Sequence, residues 1–299
     1  MALYKSDNAI FYHPLDSKVE STQGETWTGT PDFGSGIISS GLIGSSTTSG
    51  ILTGSSGAYD NVAVGASSKT WAFWFKSDDK SMELDGSNSY LSSTSDVPSF
   101  SIGSDDFTFA TWARLDDLVG SQTLVAKNGT NRSEYGFFKT TANVWRVIMS
   151  NNGIAFPLIL DGTTTATTGT WHFLAFTKSG SVVTMYLNNN FEASGSMGDV
   201  NVSTANVFNL GAFEATSKLD GLMDKAGMWR RALTSGELVT LYNSGFGKQY
   251  KQLTSGEKVD LISYWDLNET NLVSRSDSHS SGHLTVVNPM RFSTKLPGE

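Results

Sequence analysis

The stretch that most limits how this chain can fold runs from residue 219 to residue 245. Within it Leu222, Asp224, Ala226 and Met228 share one parity and Met223, Lys225 and Gly227 the other, so neither face is cleanly polar. That pattern predicts a strand at least partly covered on both sides. Thr234 and Glu237 then form a T-x-x-E capping box ahead of Leu238, Val239, Leu241 and Tyr242, with Asn243-Ser244-Gly245 as the stop. The expected product is a buried strand, a sharp turn at Trp229-Arg230-Arg231, and one short helix of about two turns.

Upstream, short apolar runs recur at intervals typical of an all-β sandwich. Leu84-Asp85-Gly86-Ser87-Asn88-Ser89-Tyr90-Leu91 reads as a turn opening a strand. In the next strand Phe107, Phe109, Thr111 and Ala113 alternate with Thr108, Ala110, Trp112 and Arg114. Further strands are expected at 123–126, 135–138, 144–149, 171–177 and 182–187. Asn188-Asn189-Asn190 makes a turn before Phe191, and Phe208-Asn209-Leu210-Gly211 follows.

Residues 219–234 resemble the closing motif of the laminin-G-like (concanavalin A-like) jelly rolls, roughly F-x-G-x-I-D-E-V-x-I-W-x-R-A-L-S. Here Lys225 replaces the usual acidic residue, and Met223 and Met228 replace isoleucines. The Leu84-Asp85-Gly86 turn and Gly169-Thr170-Trp171-His172 fit the same family in order. The resemblance implies an all-β jelly-roll sandwich with one short helix over residues 81–248, preceded by an extra β-rich N-terminal region over 1–80. In that first region 9–16 and 70–76 read as strands, and Ile37-Ile38, Leu42-Ile43 and Ile51-Leu52 as thin strands in a Ser/Gly/Thr-rich section. Residues 249–299 contain Leu261-Ile-Ser-Tyr-Trp-Asp-Leu-Asn-Glu269 and Arg275-Ser-Asp-Ser-His-Ser-Ser-Gly-His-Leu-Thr285, which resemble the opening of such a domain rather than its end. This segment is expected either to complete the 81–248 sandwich in cis, to donate strands in trans to a neighbouring copy, or to finish a second sheet with the first region.

Composition excludes several functions. A net charge of −8 without Lys/Arg clusters argues against nucleic acid as a partner. No cysteine is present, which removes disulfides and thiolate chemistry. No apolar run approaches the roughly 18 residues that a membrane span needs, and the first ten residues show no basic region followed by an apolar one, so no export leader is expected.

Catalytic patterns are missing as well. Glycosidases on related jelly rolls carry closely alternating carboxylates, E-x-D-x-E, on one strand; Glu257-Lys-Val-Asp260 has the wrong spacing. No G-x-S-x-G elbow supports a serine nucleophile, and His13 and His172 read as structural. His279 and His283, with Asp277 nearby, match a family turn element better than a zinc site. The chain is therefore expected not to be an enzyme and to require no cofactor.

The resemblance does imply a place for structural calcium, at Asp224 on the closing strand and Asp266 on the displaced opening strand, because such sandwiches often pin their first and last strands through oxygen ligands. The simpler alternative is that Asp224 pairs with an arginine or caps a turn. Glycan binding would call on Trp112, Tyr135, Trp145 and Arg146, although rings in a sandwich also fill its core. Residues 4–16 resemble the start of virion proteins of tailed, particularly marine, bacteriophages. That resemblance implies a non-enzymatic structural component of a virion, such as a capsid decoration, tail or fibre protein. It would be homo-oligomeric, bound to other virion proteins, with a solvent-facing lectin-like surface for cell-surface glycans. The alternative is a carbohydrate-binding adhesion module of a bacterial surface protein.

Overall fold

The computed structural model describes residues 80–299, apart from 214, 215, 270–272, 289 and 299, together with four short strands between residues 26 and 53. The chain divides into two compact units, Met1–Asp79 and Lys80–Glu299. In the first, β1 (Thr26–Gly29) pairs with β4 (Gly50–Thr53), and β2 (Asp32–Gly34) with β3 (Gly41–Ile43), all antiparallel. Leu42-Ile43 and Ile51-Leu52 thus lie in strands, while Ile37-Ile38 and the expected strands at 9–16 and 70–76 lie outside the described residues.

The second unit runs through β5 (Ser81–Asp85), β6 (Tyr90–Ser92), β7 (Phe107–Leu115), β8 (Gln122–Asn128), β9 (Tyr135–Lys139), β10 (Val144–Met149), β11 (Leu158–Thr165) and β12 (Trp171–Ser179). It continues with β13 (Val182–Leu187), β14 (Asn190–Ser196), β15 (Val207–Leu210) and β16 (Asp220–Trp229), and then α1 (Ser235–Tyr242). The chain closes with β17 (Leu261–Trp265), β18 (Ser274–Arg275), β19 (Leu284–Val287) and β20 (Arg291–Ser293). Two antiparallel sheets result, in the orders β11-β10-β9-β8-β15-β6-β19-β18 and β14-β13-β12-β7-β16-β5-β20, with β17 added to the far half of β16. This is a jelly-roll sandwich.

Parity decides what each strand buries. Phe107, Phe109 and Ala113 of β7 enter the core between the sheets, with Phe137, Trp145, Val147, Phe176 and Phe208. Ala110 and Trp112 point the other way, into a second apolar layer with Leu238 and Leu241 of α1. β16 is accordingly buried on both faces, Met223 and Met228 inward and Trp229 outward. The Thr234 hydroxyl accepts from the Glu237 amide and the Glu237 carboxylate accepts from the Thr234 amide, so α1 starts at the predicted capping box. Asn243, in the left-handed region at φ 50°, ends it.

Two turns explain sequence signatures. Asp85 Oδ1 accepts from the amides of Ser87, Asn88 and Ser89, and from the Ser89 hydroxyl. Although burial pushes its carboxyl up, those donors hold it well below the usual carboxylate range. Asn188 and Asn189, at φ 49° and 68°, form the β13–β14 hairpin with both central residues left-handed, which asparagine tolerates.

Residues 249–299 pair within the chain: β17 with β16, β19 with β6, and β20 with β5. Trp265 of β17 is wholly buried, stacked on Phe208 with centroids 5.6 Å apart and edge-on to Phe100 at 5.7 Å. The Arg275-Ser-Asp-Ser-His segment is a turn knitted by Asp277. Its carboxylate accepts from the amides of Tyr264, His279, Ser280 and Gly282, at 2.9–3.1 Å.

Candidate functional site

Successive residues of a strand face opposite sides of its sheet, so pairing register shows which side chains meet on the sheet's outer surface. Val207 stands opposite Asn128, and Asn209 opposite Ser92. Phe208, Leu210 and Leu91 take the opposite parity and fill the core. The adjacent strands β8, β15 and β6 therefore turn Asn128, Val207, Asn209, Ser92 and Tyr90 outward together. A cleft of about 340 Å³ opens over them, its walls completed by Gly129, Thr130, Arg132 and Ala205.

The walls are loops held from below. Arg132 N donates to Gly129 O at 2.9 Å, closing a turn after β8. A Cβ on Gly129 would lie 2.8 Å from Asn206 Oδ1 and 3.1 Å from Arg132 Nη2, so the glycine lets both side chains sit close against that backbone. The Asn206 amide donates to Arg132 O and to Glu134 Oε1, and Ser203 N also donates to Glu134 Oε1. Glu134 in turn accepts from Lys127 Nζ at 2.9 Å. Lys127 and Glu134 have no exposed side-chain surface, and the ammonium also reaches Asp96 Oδ1 at 2.7 Å and Ser101 Oγ at 2.8 Å. An ion pair inside the sandwich thus fixes both loops that frame the cleft.

The cleft's chemistry is amide, hydroxyl, guanidinium and one phenol ring, with no carboxylate among its lining residues. Asn209 is 1% exposed, and its Oδ1 accepts from no group among the described residues. Tyr90 is half-buried at one side, which leaves part of a ring for apolar contact. Arg132 is exposed, and its guanidinium meets no hydrogen-bond or ion-pair partner among the described residues.

The aromatic residues expected to bind glycan are elsewhere, and most are core. Tyr135 and Trp145 have no exposed surface, and the Tyr135 hydroxyl donates to Phe100 O at 2.8 Å. Trp112 is 2% exposed because Tyr242 of α1 stacks on it, centroids 5.4 Å apart. A ring covered on both faces cannot stack on a sugar, so these three are corrected to packing residues. Arg146 is half-buried on the outer surface, but Asp161 occupies it, with Nη2 to Oδ2 at 2.7 Å.

At the position expected for calcium, both carboxylates already have partners. A bulge in β16 places Lys225, at φ 50°, beside Asp224, and the Lys225 ammonium pairs with the Asp224 carboxylate. Asp266 Oδ1 accepts from Tyr250 N at 2.7 Å and Oδ2 from Ser278 Oγ at 3.1 Å. Burial pushes its carboxyl up despite those bonds. No group of three or more His, Asp or Glu side chains suited to a metal exists among the described residues. An ammonium already seated on the buried carboxylate repels a divalent cation, so the residues present do not fit one. His279 and His283 are hydrogen-bonded instead to the Tyr250 hydroxyl and the Asp277 amide. His172 is edge-on to Trp145, and burial pulls its pKa down.

The family model described as the concanavalin A-like lectin/glucanases superfamily matches residues 85–239, just over half of the 299-residue chain. The chain belongs to that superfamily. Among solved structures, a candidate carbohydrate-binding protein of Bacteroides ovatus superposes with TM-score 0.55 at 16% identity, over 73% of this chain and 61% of that one. The heptameric SAP-like pentraxin of Limulus polyphemus gives 0.49 at 11% identity, over 72% and 95%. A Ruminococcus gnavus sialidase CBM40 bound to α2,3 sialyllactose gives 0.44 at 14%, over 54% and 95%. At such identities the likeness is one of fold. No curated protein matches the sequence. As a superfamily member the chain has a lectin-like sandwich with one sheet covered by α1 and a polar cleft on the outer surface of the other.

Sequence reasoning did not reach this cleft. Its residues come from 90–92, 128–132 and 205–209, and only the strand order brings them together. The one local signal was Asn209, an amide between two core residues on a short apolar strand.

Proposed function

We propose that this protein is a non-catalytic glycan-binding domain whose site is the cleft over β8, β15 and β6. The observation that carries the reading is the make-up of that cleft. Asn128, Asn209, Ser92, Thr130 and Arg132 offer hydroxyl-matching donors and acceptors beside the Tyr90 ring, on a preformed concave surface. Two-carboxylate glycoside hydrolysis needs an acid and a base or nucleophile flanking the bond, and the lining supplies neither. The Lys225 ammonium already neutralises the Asp224 carboxylate, so the proposed function needs no calcium.

The wider setting we propose is a bacteriophage virion, with the cleft facing host glycans. This part rests on the resemblance of residues 4–16 to virion proteins, and those residues lie outside the described ones. The test is a glycan array probed with the full chain, with turnover assays run on every ligand found. Retained ligands without cleavage support the reading. A blank array refutes glycan binding, and release of reducing ends refutes the non-catalytic role.

A further inference from the structure

The arginines of the sandwich are mostly spoken for. Arg114 holds Asp116, Arg146 holds Asp161, Arg230 holds Asp105, and Arg231 holds Glu237. Arg275 is buried, with Phe292 against its guanidinium at 5.0 Å. Arg132 differs. It stands in the wall of the cleft, and no carboxylate among the described residues meets it. Nor does the side chain extend straight into solvent, because Nη2 and Nε lie within 3.1 and 3.3 Å of where a Gly129 Cβ would be. The guanidinium is folded back over the turn at the cleft's rim. In a chain with 29 acidic and 21 basic residues, this cleft has one charged group in its lining, and that group is a cation.

We infer that the cleft selects acidic saccharides, with Arg132 receiving the anionic group and Asn209 Oδ1 accepting from a neighbouring hydroxyl. This rests on the cleft being the glycan site. The two groups make complementary demands. A buried amide oxygen without a donor costs free energy until a ligand hydroxyl supplies one. A guanidinium without a counter-ion presents a planar fork of N–H donors that suits an oxyanion. A neutral sugar meets only the first demand, and an inorganic anion only the second. The anion can be a uronic carboxylate or a sulfate ester, since both present two oxygens to the fork.

The surroundings strengthen selection by charge. The acidic surface disfavours anionic ligands elsewhere on the molecule. The backbone that carries the guanidinium is pinned by the hydrogen bond from Arg132 N to Gly129 O, and by the Asn206 amide on Arg132 O. Little loop freedom is then lost on binding.

The experiment is calorimetric titration of the full chain with matched pairs: tetragalacturonate against its methyl ester, and a sulfated galactose tetrasaccharide against its desulfated form. One acidic member is expected to bind at least about tenfold more tightly than its neutral partner, as a charge-assisted fork contact implies. That preference should shrink as salt is raised. Arg132→Gln should close the gap within the pair, and Arg132→Lys should restore part of it. Because Arg132 is exposed, both variants are expected to melt with the parent. Which pair shows the gap identifies the anion. Equal binding of acid and neutral partner, or a gap that survives Arg132→Gln, overturns the selectivity and leaves the glycan site standing. Failure of all four ligands together with a blank array overturns the glycan site itself, and the selectivity with it.

Discussion

Replacing Lys127 by methionine is the sharpest test of how the cleft is built. Methionine keeps an unbranched apolar side chain, only one atom shorter than that of lysine, and removes the charge. The ammonium it deletes is fully buried and serves Asp96, Ser101 and Glu134. Glu134, equally buried, is left with the Ser203 amide and the Asn206 side chain as donors. Breaking a buried pair on one side costs about 3–5 kcal/mol, because the remaining charge has lost both water and its partner. For a unit of 220 residues (80–299), that corresponds to a fall in melting temperature of about 6–20 °C. The double variant Lys127→Met, Glu134→Met removes both charges and should recover part of the loss. Thermal melts followed by near-UV circular dichroism measure both. If Lys127→Met melts within about 2 °C of the parent, or if the double variant melts below the single one, the buried pair does not brace the loops as argued.

Three further outcomes follow from other parts of the fold. Gly221, at φ 148°, would place a Cβ 2.0 Å from the Arg114 carbonyl oxygen on the neighbouring strand. Gly221→Ala should therefore cost about 3 kcal/mol or more in a chemical-denaturation curve, since backbone cannot yield as a side chain can. Burial pushes the Glu257 carboxyl up, but hydrogen bonds from Lys248, Thr254 and Thr240 win and bring it down to about 2. A depressed folded-state value means a stabilisation present above pH 4.5, the unfolded value, and lost as pH falls through about 2. Parent protein should outlast Glu257→Gln by about 2 kcal/mol near neutrality, and acid melts should show that lead vanishing over this window. Finally, Trp265→Ala removes a wholly buried ring stacked on Phe208 and should cost about 3–5 kcal/mol, measured in the same denaturant curves; a cost below about 1 kcal/mol would mean that the tail is not part of the core.

What the sequence made legible was local. The two-sided parity of β16, the capping box at Thr234 and Glu237, and the asparagine hairpin at 188–189 each depend on neighbours within a few residues, and each stands where expected. β11 was missed because only Leu158 and Leu160 of its eight residues face the core, and the Asp-Gly-Thr-Thr-Thr end reads as a loop. Lys127, just past the apolar run 123–126, gave no sign of burial, since Asp96 and Ser101 reach it from 31 and 26 residues away. The aromatic residues misled for a related reason. Trp112 is a plug only because α1, more than a hundred residues later, lays Tyr242 across it. Periodicity says which side of a sheet a ring occupies, but the cover over that side is set by topology. The cleft escaped in the same way, its floor being shared by three strands far apart in the chain.

The proposed function places glycan on the outer surface of the β8–β15–β6 strands. Ser92 lies half-buried in that floor, opposite Asn209 and away from the sandwich core. Ser92→Trp fills the cleft from its own base and leaves Arg132 and both members of the buried ion pair unsubstituted. The measurement is the calorimetric affinity of the best array ligand for parent and variant, with their melting temperatures taken alongside. Ser92→Trp is expected to weaken binding by about a hundredfold or more while the protein still melts cooperatively near the parent temperature. Undiminished binding by a folded Ser92→Trp variant would contradict it.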